Sequence, residues 1–334
     1  MRRFLLFLLN LIACIACVNE DTFDDTPEGN FEALWQIIDE HYCYLDYKAV
    51  DWNEVHQRYS QYIDPKMNKA QLQEVLTDML SELRDGHVNL YTSADVSRYW
   101  AWHEDYPRQW SQELRDHYLG TDYQIAAGIK YRILEDNIGL IVYESFSQAI
   151  GEGNLDDVMY TLRSCNGLIV DVRGNTGGQL TMAERLSQRF TNERLLVGYT
   201  QYKTGRGHSD FSAPKAEYLE PSKGVRWQKR VVLLQNRECY SACNSFIRNM
   251  RECPLVTTLG DTSGGGAGMP FSSELPNGWS VRFSASPSMD VEMQHTEFGI
   301  APDIPCSLDS ADVARGRDTL MERARQLLHN PEAS

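Results

Sequence analysis

The sequence predicts an α/β protein preceded by a helical segment. From about residue 125 onward, short apolar runs of strand length alternate with stretches of helical period. The runs at 168–172 and 231–234 are apolar throughout, as in strands buried in a core. Between 27 and 84 the apolar residues recur at helical spacing instead.

Taken in order, residues 31–42 carry Phe31, Leu34, Trp35, Ile37, Ile38 and Tyr42 on one helical face. Asp51 opens a second helix running to 62. Asn68 caps a third over 69–83, with Leu72, Val75, Leu76, Met79, Leu80 and Leu83 aligned. Gly86 ends this run and a strand follows. Residues 93–124, rich in Trp, Tyr, His and charge without a period, predict an irregular linker or flap. Strands are predicted at 138–142, 168–172, 231–234, 255–258 and 279–284. Helices are predicted at 156–163, 180–190, 244–251 and 310–329.

Composition bounds the function. The chain has 334 residues and a net charge of -15, a poor match for nucleic acid. Arg2 and Arg3 precede an apolar run over 4–13, of signal-peptide length and too short to span a bilayer. Cys14 and Cys17 each end a stretch resembling a lipoprotein processing box, which predicts a lipid-anchored protein of the bacterial cell envelope. The expected organisation is a leader at 1–17, a tether at 18–26, a helical subdomain at 27–84 and an α/β domain at 85–334. Export permits disulfides among the other six cysteines, and the sequence does not choose a pairing. No Cys/His set has metal spacing, and no cofactor motif is present.

Four segments carry candidate chemistry. Ser241 lies between the apolar run 231–234 and the helical stretch 244–251, at a helix N-terminus. There a hydroxyl either caps the helix or attacks a carbonyl whose developing charge meets free N–H groups. His87, in Asp85–Gly86–His87, is a suitable base because an imidazole titrates near neutrality. Gly177 and Gly178, in Asp171-x-Arg173-x-Asn175-x-Gly177–Gly178, allow close backbone approach to an oxyanion. Glu297, before Gly299–Ile300-x-Pro302–Asp303, could orient the imidazole.

Together and in this order these segments resemble the tail-specific (C-terminal processing) serine peptidase family, in the branch related to the tricorn core protease. Thr262-x-Gly264–Gly265–Gly266 and Leu275–Pro276–Asn277–Gly278 match as well. The resemblance implies a crotonase-like superhelical α/β core. It also implies Ser241 as nucleophile, His87 as base, Glu297 as orienter, and an oxyanion hole at Gly177, Gly178 and Ala242. The substrate would be a peptide or protein, with no cofactor, and membrane contact through the N-terminal lipid only. The sequence departs from the family in several ways. No lysine follows Lys229, so the usual Ser–Lys dyad is absent on that side of the serine. Gly86 stands where the tricorn branch has serine, and Asn244 replaces a common acid. Residues 93–124 are too short for a PDZ domain, and Glu297 sits one residue nearer its turn than expected. The same fold includes a retinoid-binding relative, so a binding protein with a weak or idle site is the alternative.

Overall fold

The computed structural model describes residues 22–330. The leader, Cys14 and Cys17 lie outside the described residues. Three helices come first: α1 (Pro27–His41), α2 (Trp52–Ser60) and α3 (Lys69–Ser81). Each starts at a side-chain cap. Thr26, Asp51 and Asn68 accept from the first-turn N–H groups, and Asn68 forms a reciprocal capping box with Gln71.

A short strand β1 (Asn89–Tyr91) follows, then α4 (Ala101–Glu104) and α5 (Gln112–Leu119). The stretch predicted as an irregular linker therefore contains two helices, each too short to show a period. Next come β2 (Gln124–Ala126), β3 (Ile129–Ile133), β4 (Ile138–Val142), α6 (Glu152–Leu162), β5 (Gly167–Asp171) and α7 (Leu180–Ser187). They lead into β6 (Leu195–Thr200), β7 (Lys215–Leu219), β8 (Val231–Gln235), α8 (Ala242–Arg251) and β9 (Val256–Gly260). The remainder is β10 (Met269–Glu274), β11 (Ser280–Ser286), β12 (Ser288–Met289), β13 (Ile304–Pro305), α9 (Ser310–Val313) and α10 (Thr319–His329). The single helix expected over 310–329 is broken. Gly316 takes φ 72°, and Asp318 caps a new helix through Leu320 and Met321 N–H.

The centre is a seven-stranded mixed sheet in the order β13-β9-β8-β5-β4-β3-β2. Strands β13, β9, β8, β5 and β4 run parallel, and β3 and β2 complete one edge antiparallel. Its middle strands are apolar throughout because both faces are covered. Leu168, Val170, Val231 and Leu233 face α6, α7 and α8. Ile169, Val232 and Leu234 face α10. A second apolar cluster joins α1, α2 and α3 to Leu275, Trp279, Val281 and Phe283 of the β1-β11-β10 sheet and its hairpin. The N-terminal helices and a sheet drawn from 89–91 and 269–286 thus share one core. Among the described residues, no helix is long and apolar enough to cross a membrane.

Candidate active site

Three neighbouring parallel strands, β5, β8 and β9, each end in a loop on the same edge, the usual place for a site in a parallel sheet. The loop after β5 carries Gly177 and Gly178. The turn after β8 carries Ser241, and the loop after β9 carries residues 261–268.

Ser241 adopts φ 57°, ψ -121°, a disfavoured conformation for a residue with a side chain. Its N–H donates to the Gly265 carbonyl at 2.9 Å, which ties the Ser241 turn to the next loop. The hydroxyl does not cap α8. It lies 2.8 Å from Nε2 of His87, a residue 154 positions earlier in the chain. The capping role is therefore set aside.

His87 is held from behind. Asp85 Oδ1 accepts from the His87 N–H at 2.8 Å, fixing the turn into β1. Tyr42 and Ser284 hydroxyls donate to Asp85 Oδ2 at 2.9 and 3.0 Å, and Tyr240 donates to Oδ1 at 3.3 Å. The Tyr240 ring stacks on Trp102 at 4.0 Å, so the 93–124 segment closes over this turn. Burial pushes the Asp85 carboxyl up, but Lys48, His87 and these donors outweigh it and hold it down at about 2. Burial lowers His87 to about 4, against the pull of Asp85 and with the push of Arg282 and Lys48. The imidazole is thus neutral at pH 7, as a base must be.

Glu297 is buried in the same pocket, yet it does not reach the imidazole. Its Oε1 lies 2.7 Å from Lys48 Nζ and its Oε2 accepts from the Ala267 N–H at 2.9 Å. His87 Nδ1 is buried and makes no well-formed hydrogen bond among the described residues, with the Gly268 backbone beside the ring drawing its pKa up. Burial and the Asp85 charge raise Glu297 to about 7 despite Lys48. Its two oxygens are engaged by Lys48, unforeseen in the sequence, and by the Ala267 N–H, and the expected hydrogen bond to the ring is absent.

The glycine loop also departs from expectation in one donor. The Gly177 N–H is spent on Asn175 Oδ1 at 2.9 Å and is not available to an oxyanion. Gly177 instead provides room. At φ 100°, a Cβ there would lie 2.6 Å from the Tyr240 carbonyl and 2.9 Å from the Ala242 nitrogen. The N–H groups of Gly178 and Ala242 are bonded to no acceptor among the described residues. Asn175 anchors the loop by donating to the Tyr143 carbonyl at 2.9 Å. Buried Arg173 clamps it further, between Asp171 and Asp318, both at 2.8 Å. Asn244, in place of the family's acid, donates to the Thr296 carbonyl and accepts from Ser263, tying both later loops to α8.

A cleft of about 630 Å³ opens beside Ser241, His87 and Gly178, running between α7, α8, β6 and β7. Leu180, Ala183, Val197 and Leu219 line it with Arg248, Glu217 and Arg282. Among the described residues no group of three or more His, Cys, Asp or Glu is placed to hold a metal ion. Lys48 had no motif to announce it. The only hint was a lysine ending an aromatic run, Tyr42–Cys43–Tyr44–Leu45–Asp46–Tyr47.

Comparison with known proteins agrees with this geometry. Residues 137–306 match the model of peptidase family S41, and residues 23–81 match the tricorn protease C1 domain. The carboxy-terminal processing protease CtpA of Bacillus subtilis (strain 168) is 26% identical over 178 residues, which is 52% of this chain and 36% of that protein. This chain therefore spans about a third of that relative. The crystal structure of a peptidase candidate from Parabacteroides merdae ATCC 43184 is 51% identical, covering 93% of this chain and all of that one, with a TM-score of 0.88. Mature CPAF shares the fold alone, at 11% identity and a TM-score of 0.70, over 92% of this chain and 98% of that one. A family model that takes in half of the sequence, including the Ser241 turn and both glycine loops, settles the relationship, and the chain belongs to peptidase family S41, the tail-specific serine peptidases.

Proposed function

We propose that this chain is an exported peptidase that cleaves peptide bonds through an acyl-enzyme. His87 Nε2 takes the Ser241 proton as Oγ attacks the carbonyl carbon. The oxyanion accepts from the Gly178 and Ala242 N–H groups. Collapse of the tetrahedral species breaks the C–N bond, and His87 returns its proton to the leaving amine. Water, deprotonated by the same imidazole, then releases the acid and restores Ser241. Asp85 supplies the carboxylate charge that acts on His87 and fixes its turn. Glu297, the third member of the Ser–His–Glu triad, acts by holding the Ala267 loop, since no hydrogen bond links it to the ring.

The observation that carries this reading is the 2.8 Å approach of Ser241 Oγ to His87 Nε2. Hydrolysis of unstructured polypeptides, with products read by mass spectrometry, tests it. Cleavage by the native protein and none by Ser241→Ala is expected. Equal rates would refute the scheme. The name of the Bacillus relative makes removal of C-terminal residues the first product pattern to seek.

One observation favours the alternative of a binding protein with an idle site: no carboxylate accepts from His87 Nδ1, whose neighbour is the Gly268 backbone. Ligand-induced thermal stabilisation with no turnover of any peptide would support it. Export and lipid anchoring rest on the leader and on Cys14 and Cys17. Intact-mass analysis of the membrane-extracted protein should show a diacylglyceryl adduct, lost on substitution of the modified cysteine.

A further inference from the structure

Lys48 belongs to no motif and takes no part in the proton transfers above, yet it is only 4% exposed. Its ammonium lies 2.7 Å from Glu297 Oε1 and 3.4 Å from Asp85 Oδ2, and it donates to the Arg84 carbonyl at 3.3 Å. A buried ammonium persists only when paired, and here two carboxylates share it. It is no dyad base, because these three partners take its protons and Ser241 is engaged by His87. Nor does it line the cleft. The groups around it and around the His87 ring are few. Tyr42, Cys43, Tyr44 and Tyr47 come from its own turn, and burial raises all four so that they stay neutral. Tyr240 and Arg282 come from across the site, and Arg282 is the charged member of that pair.

We infer that Lys48 is a positioning residue of the peptidase site, holding Glu297 and Asp85 behind His87 and balancing one of their two charges. The inference rests on the proposed peptidase reading. It makes the stretch matching the tricorn C1 domain a structural part of the active site. Asp85 sets the histidine turn, and Glu297 holds Ala267 in the loop that reaches Gly268 beside the ring. Removing Lys48 leaves two buried carboxylates in one pocket without a counter-charge. Above the pH at which Glu297 ionises, mutual repulsion then displaces one of them.

The test compares Lys48→Met, Glu297→Gln and the double variant, with Ser241→Ala in parallel. Lys48→Met should lower kcat at least about tenfold with KM within about twofold, because Lys48 touches no substrate. The acid limb of its pH profile should move to higher pH, since a positive charge near His87 is gone. A role in packing alone would not move that limb. Adding Glu297→Gln leaves Asp85 as the single buried charge, as net in the native site. Above the pH at which Glu297 ionises, the double variant should therefore recover rate toward native, a non-additive pair, while its acid limb stays with that of Lys48→Met because Glu297 is already protonated there. Native kcat and pH profile in Lys48→Met would overturn the inference, as would losses that simply multiply in the double variant. If Lys48→Met does not fold, the double variant alone decides. Folded by circular dichroism, it should lie within about tenfold of native, and an inactive folded protein would refute the role. Ser241→Ala separates the two claims. If it stays active the peptidase reading falls, whereas a dead Ser241→Ala beside an unimpaired Lys48→Met removes only the role of Lys48.

Discussion

Ser241 occupies a backbone conformation that a side chain disfavours, φ 57° and ψ -121°. Strain of this kind is worth about 1–3 kcal/mol and persists only where neighbours enforce it. Here the Gly265 carbonyl and the start of α8 enforce it, and the hydroxyl is thereby aimed at His87. Glycine would relieve that strain and alanine would not. Ser241→Gly should therefore melt at higher temperature than Ser241→Ala, by about 1 kcal/mol in stability after the entropy of glycine in the unfolded chain is subtracted. Calorimetry of the two inactive proteins checks this, and equal stabilities would mean the turn is not strained. The base makes a second prediction. Burial holds His87 near 4, well under the ordinary imidazole value. Protonation of His87 blocks catalysis, so activity is present above this pKa and is lost as pH falls through it. The acid inflection of kcat/KM should lie clearly below 6.5, toward 4. An inflection at or above 6.5 would show a solvated histidine.

At the scale of elements, the loop after β5 and the N-terminus of α8 act as one unit. Gly177 has room for no Cβ between the Tyr240 carbonyl and the Ala242 nitrogen. Gly177→Ala should force the two apart and misplace the Gly178 and Ala242 donors. A loss of about 10²–10³ in kcat is expected, the usual effect of spoiling one oxyanion donor. Steady-state kinetics read it, and an unchanged kcat would mean the donors lie elsewhere. The sequence made this unit legible because an apolar strand, a glycine pair and a small-residue turn are local patterns. Other parts were not local. Strands β7 and β10 are largely exposed and mixed in polarity, so they show neither a clean alternation nor an apolar run. The segment 93–124 is fixed by contacts with distant residues, Trp102 on Tyr240 and Trp110 donating to Glu238 at 2.5 Å. Lys48 and Glu297 are 249 positions apart in number, and pairing at that range leaves no mark in spacing. The free N–H of a glycine loop is likewise invisible beforehand, which is why Gly177 looked like a donor and serves as a spacer.

At the scale of the molecule, the parallel sheet and the small β1-β11-β10 sheet each deliver one half of the reacting pair. The first presents Ser241 at the end of β8, and the second presents His87 at the entry to β1. The helices α1, α2 and α3 pack on the small sheet, so the N-terminal core fixes where the imidazole stands. Whether that arrangement makes Ser241 a nucleophile is answered most directly by a fluorophosphonate probe, with the adduct mapped by peptide mass spectrometry. The account predicts a single adduct on Ser241, abolished in Ser241→Ala and strongly slowed in His87→Gln. A native protein that is not labelled, or one labelled equally fast without the imidazole, would contradict it.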